Sequence, residues 1–108
     1  MEVQKLIIAD TFFTRLRGLL FRRPLMVGEG LILIPCSSIH TVGMAYAIDA
    51  VFLDTECRIV RVVRSLPPGR AKAASGAKMV LELADGGAVD MKEGDQLSWL
   101  QTLLKTRQ

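Results

Sequence analysis

The stretch that decides the fold is Ile48-Asp49-Ala50-Val51-Phe52-Leu53-Asp54-Thr55-Glu56-Cys57-Arg58-Ile59-Val60-Arg61-Val62-Val63. β-Branched and large apolar residues dominate both of its halves, a composition that suits a pleated surface better than a helix. The polar triplet Asp54-Thr55-Glu56 between them is short enough for a hairpin loop. Two antiparallel strands are therefore expected, at 48–53 and 57–63.

Working outward toward the N-terminus, Val3, Lys5, Ile7 and Ala9 alternate with Gln4, Leu6 and Ile8 as an opening strand. Asp10 offers an N-cap to a short helix over 11–21, where Phe12, Phe13, Leu16, Leu19 and Leu20 recur at helical spacing. Arg22-Arg23 suit a helix C-terminus, and Pro24 biases Arg23 away from helical geometry. Gly28-Glu29-Gly30 marks a turn before Leu31-Ile32-Leu33-Ile34, and residues 39–42 read as another strand.

Toward the C-terminus, Leu66-Pro67-Pro68-Gly69 begins a long irregular segment through Gly76. A strand at 79–83 follows, then a weak helical turn at 84–91, then Gly94-Asp95 as a tight turn into 96–100. The expected fold class is mostly β (α+β). It is read as a compact curved or barrel-like sheet of about six to seven short strands with one or two short helices.

The chain has 108 residues, and one of that length buries somewhat over ~60% of its extended surface. A single domain over 1–108 is expected. No apolar run approaches the ~18 residues of a membrane span, so no membrane partner is expected. The N-terminus lacks the pattern of a secretory signal, and a cytoplasmic location is the default expectation. Cys36 and Cys57 read as ordinary thiols. Although Cys36-x3-His40 resembles half a zinc site, the sole histidine and two cysteines are too few for a closed one. Neither a metal nor a cofactor is expected.

Fourteen Lys and Arg against 11 Asp and Glu give a net charge of +3. The excess lies wholly in residues 55–108, and residues 57–81 carry Arg58, Arg61, Arg64, Arg70, Lys72 and Lys78 without an acid. Strand alternation turns Arg58 and Arg64 one way and Arg61 the other, which splits any basic stripe. Aromatic stacking residues are scarce there as well. Nucleic acid is thus not an expected partner, and the segment reads as a solvated edge that discourages strand aggregation.

Asp49 is the leading site candidate, because both faces of its strand are apolar and a carboxylate among them needs backbone donors or a cation. It either pins a loop by accepting amide hydrogen bonds or anchors a pocket. His40 precedes it by nine residues, enough for a turn that brings the two together and fixes the imidazole's orientation. No nucleophile motif surrounds Cys36, Ser37, Ser38 or Thr41.

A family resemblance rests on Ala9-x-Thr11, Arg17-Gly18-Leu19-Leu20-x-Arg22 and Gly30-Leu31-Ile32-Leu33. It continues through the long signature His40-Thr41-x-x-Met44-x-x-x-Ile48-Asp49-x-x-Phe52-Leu53-Asp54, then Val80-Leu81-Glu82-Leu83 and Gly94-Asp95. Over about residues 5–99 the chain resembles the prokaryotic domain of unknown function 192 family, in its His-Thr subgroup, with 100–108 left as a C-terminal tail. The resemblance implies a small mostly β domain and supplies no activity. It directs interest to Arg17, His40, Asp49 and Glu82, and the long signature adds Thr41 and Met44 as candidate ligand-binding residues. Arg17 is a candidate cation for Asp49 or Glu82.

Three readings follow. The favoured one is a noncatalytic binding or accessory module with a small-molecule or peptide pocket near His40 and Asp49. The others are an enzyme with a His40/Asp49 acid–base pair, and an anion or nucleic-acid binder using residues 57–81. Oligomeric state is left open, since an exposed β edge can pair symmetrically.

Overall fold

Among the described residues, seven strands and one helix follow in chain order: β1 (Lys5–Ala9), β2 (Glu29–Leu33), β3 (Ser38–His40), β4 (Ile48–Leu53), β5 (Ile59–Leu66), β6 (Ala71–Ala73), β7 (Met79–Ala84) and α1 (Ser98–Thr106). The computed structural model describes residues 3, 5–9 and 24–106. The helix expected over 11–21, and Arg17 with it, lie outside the described residues.

The decisive stretch forms its hairpin, with β4 antiparallel to β5 around the turn at 54–57. Five strands make one mixed sheet in the order β1-β2-β7-β4-β5. Of the paired strands, only β1 and β2 run parallel. The chain leaves this sheet twice, after β2 and after β5. The two excursions meet as a separate antiparallel pair, β3 with β6, in which Ile39 opposes Lys72 and His40 opposes Ala71. The strands thus divide between two sheets, and the five-stranded one stays open, ending at β1 and β5.

Period-two alternation loads both faces of the large sheet with apolar side chains. One face carries Leu6, Ile8, Ile32, Leu81, Leu83, Val51 and Leu53 and is covered by Ala88, Met91, Leu97 and Leu100. The other carries Ile7, Ala9, Leu31, Leu33, Val80, Ile48, Ala50 and Phe52. Ile39, Met44, Tyr46 and Ala74, from around the small sheet, pack on that second face. Two apolar layers therefore share one central sheet, which is why β4 and most of β7 are buried along their length.

Three expectations change. The irregular segment after Leu66 contains β6, formed from Ala71, Lys72 and Ala73; such residues have weak strand preference and take their state from pairing with β3. The strand read at 57–63 begins two residues later and continues to Leu66 through a bulge. Residues from 100 onward are helical to Thr106 rather than a tail, because Leu97, Leu100 and Leu104 recur at helical spacing against the first face.

Candidate functional site

Asp49 is fully buried in the middle of β4. The pairing of β4 with β5 shifts register between Ile48 and Ala50, opposite Ser65, whose φ of 52° is left-handed. An extra residue in one strand leaves a backbone N–H without a ladder partner. Asp49 meets that need: Oδ1 accepts from Ser65 N at 2.8 Å, and Oδ2 accepts from Ala88 N at 2.8 Å. The carboxylate pins the bulge of β5 to the loop after β7, using both of its oxygens.

Glu82 occupies the neighbouring strand but the other face. Its register partners are Leu31 on β2 and Ala50 on β4, both members of the second apolar layer. The side chain is only 6% exposed, and burial pushes its carboxyl from 4.5 up to about 7. Among the described residues Oε2 is the buried side-chain oxygen that has no hydrogen-bond partner. Strand alternation turns Glu82 away from Leu81 and Leu83, and the face it turns to is an apolar interior.

The segment after β3 approaches Glu82's face. Thr41 is fully buried, with Oγ1 donating to Pro67 O at 2.7 Å and accepting from Arg70 N at 2.9 Å. Its backbone adds Thr41 N to Arg70 O and Gly69 N to Thr41 O. Thr41 therefore clamps the Pro67–Arg70 turn to the start of the segment, which returns to the sheet through Met44 and Tyr46.

His40 stands elsewhere. It is exposed on the outer side of the small sheet, over a shallow hollow lined by Ser38, Ile39, Ala71, Lys72 and Ala73. No hydrogen bond or ion pair joins His40 to Asp49 among the described residues. The candidates do not gather in one place: Asp49 is on the first face, Glu82 and Met44 on the second, Thr41 is bound to the Pro67–Arg70 turn, and His40 is exposed.

The three arginines of β5 and its approach are also separated. Arg58 Nη1 donates to Gly94 O and Arg64 Nη2 to Met91 O, both in the segment between β7 and α1, while Arg61 Nη1 donates to Ala73 O on β6. Cys36 and Cys57 are not joined in a disulfide, and burial, with Asp54 and Glu56 nearby, pushes Cys57 up to about 11. What the sequence did not disclose is the partners of Asp49, because Ser65 and Ala88 act through backbone N–H groups that carry no residue signature.

The family model described as Uncharacterized ACR, domain of unknown function 192 (DUF192), matches residues 2–99. The chain belongs to the DUF192 family. It is 34% identical over 100 residues to a UPF0127 protein of Thermococcus sibiricus, a match that covers 85% of this chain and 64% of that protein. The chain thus spans less than two thirds of that relative's length. Among solved structures, a protein of unknown function from Novosphingobium aromaticivorans is similar with a TM-score of 0.75 and 25% identity, over 84% of this chain and 71% of that one. A proposed transcription regulator from Sinorhizobium meliloti has the same TM-score at 19% identity, over 84% of this chain and 78% of the other. At that identity the second likeness shows the fold alone.

Proposed function

We propose that this DUF192 chain is a noncatalytic binding module whose ligand, a small molecule or peptide, docks on the second face and donates a hydrogen bond to Glu82. The observation that carries the reading is the unpartnered Oε2 of a carboxyl buried among Leu31, Ala50 and Val80. A buried polar atom without a partner costs about 1–3 kcal/mol, more if charged, and calls for an explanation. A donor from a ligand removes that cost. Met44 packs on the same face, and Thr41, three residues before it, is clamped to the Pro67–Arg70 turn. The noncatalytic reading is supported by the engagement of both Asp49 oxygens with backbone amides while His40 is exposed, so that these two do not form an acid–base pair among the described residues.

The test is carboxyl-carbon NMR of Glu82 with butylguanidinium and an arginine-containing tripeptide as probes. Saturable binding, with the Glu82 titration moved downward and both effects abolished in Glu82→Gln, is the expected result. Binding that survives Glu82→Gln, or no perturbation of Glu82 by either probe at 20-fold excess, overturns the reading; about 20-fold is chosen to reach weak millimolar affinity.

A further inference from the structure

A second site lies at the opposite end of the large sheet from the turn that opens β2. There the end of β2, the start of β7 and the β4–β5 turn meet α1 around an open groove of about 800 Å³. Its apolar lining includes Ile34, Met79 and Leu104, and Lys78 and Lys105 stand over it. The volume falls in the range of small-molecule sites. This site shares no residue with the Glu82 region.

The polar inventory of the groove selects its occupant. Glu56, the one acid in the lining, already accepts from Gln101 Nε2 at 3.0 Å. Lys78 and Lys105 have no ion-pair partner among the described residues, so the available charge is positive. Lining backbone groups are largely engaged as well. Ile34 N donates to Ala9 O, Cys57 N to Asp54 O, and Lys78 N to Leu53 O, while Lys78 O accepts from Cys36 N and Cys57 O from Leu97 N. Glu56 O accepts from Gln96 Nε2, and Pro35 has no N–H to offer. An extended peptide needs free main-chain donors and acceptors in series, and the amides of Ile34, Glu56, Cys57 and Lys78 are already spent. A hydrocarbon chain needs none.

We infer that this groove binds a small amphipathic carboxylate, with its hydrocarbon body on Ile34, Met79 and Leu104 and its anionic head between Lys78 and Lys105. The apolar part contributes by leaving water, and the two ammonium groups set the preference for an anion.

The experiment titrates octanoate, octylamine and octanol into the full chain and follows methyl resonances of Ile34, Met79 and Leu104. Lys78→Ala/Lys105→Ala is titrated in parallel; both lysines are exposed, so the fold is retained, and a thermal melt checks that. Octanoate is expected to shift all three methyls in saturable fashion, at least about tenfold tighter than octylamine or octanol. That preference is expected to disappear in the double variant. Equal affinity for the three probes, unchanged octanoate affinity in the variant, or shifts confined to other residues would each overturn the assignment. Binding only to anionic vesicles, with no saturable response to free octanoate, overturns it too. Glu82→Gln leaves octanoate binding unchanged, which separates this site from the one proposed above.

Discussion

Asp49 and Glu82 sit one register step apart on neighbouring strands and point to opposite faces of the same sheet: Asp49 opposes Leu83, and Glu82 opposes Ala50. Their chemical situations are as different as their directions. Asp49 has a backbone donor on each oxygen, whereas Glu82 keeps an oxygen without one among the described residues. One carboxylate holds the fold together and the other is held by it at a cost.

Asp49→Ala is expected to destabilise the chain by about 2–5 kcal/mol, because it strands two N–H donors and opens a small cavity. Asp49→Asn is expected to be nearly as costly, since its amide nitrogen must face one of the two N–H groups it would need to accept from. Urea unfolding measures the loss. Amide exchange assigns it, with Ser65 and Ala88 losing protection first. A loss spread evenly over the sheet would contradict the clamp.

Glu82 predicts the pH dependence. Its folded carboxyl binds a proton up to about pH 7, while its ordinary value is 4.5. Between those values the folded chain holds more protons than the unfolded one, so its contribution is complete below about 4.5 and is lost as pH rises through 7. The loss amounts to roughly 3 kcal/mol. Glu82→Gln should flatten this slope and exceed the wild type in stability at pH 8, measured by urea unfolding at pH 5, 6.5 and 8. Parallel slopes in the two proteins would show that Glu82 does not titrate in this window.

Strand composition made β4, β7 and the β4–β5 hairpin legible, because runs such as 48–53 have few other stable destinies. It also showed that Asp49 needed donors or a cation among its apolar neighbours. It did not show which, because the bulge at Ser65 and the loop at Ala88 are products of pairing. Glu82 illustrates the same limit. Alternation with Leu81 and Leu83 fixes its direction relative to them, but only the second apolar layer, assembled from Leu31, Ala50 and the small sheet, makes that direction an interior one. The β3–β6 pair was least legible, since Ala71 and Ala73 become strand only by meeting Ser38 and His40.

Thr41 tests whether the Pro67–Arg70 turn depends on a single hydroxyl. Thr41→Val keeps the shape and removes the donor to Pro67 O and the acceptor for Arg70 N. A cost of about 1–3 kcal/mol is expected, with faster proteolysis in the Pro67–Arg70 turn. Thr41→Ser restores the hydroxyl and should recover most of the stability. Equal behaviour of Val and Ser would place the clamp in the backbone pairs alone.

Two glycines separate crowding by backbone-anchored atoms from crowding by mobile ones. A Cβ on Gly30 meets Leu81 Cδ1 and Leu83 Cδ2 at 3.2 Å, and Leu6 Cδ1 at 3.4 Å, all ends of side chains that can shift by tenths of an ångström. A Cβ on Gly87 meets Leu83 Cβ at 2.8 Å and Ala84 O at 3.0 Å, which move only with β7 itself. Gly87 also precedes Ala88, whose N–H holds Asp49 Oδ2, so strain there passes into the carboxylate clamp. Gly87→Ala is expected to cost about 1–3 kcal/mol, lowering Tm by roughly 4–8 °C per kcal/mol, and to weaken amide protection at Ala88 and Ser65 together. Gly30→Ala should cost less than about 1 kcal/mol and leave both amides protected. If Gly87→Ala lowers Tm without touching Ser65, the loop and the bulge are not coupled through Asp49.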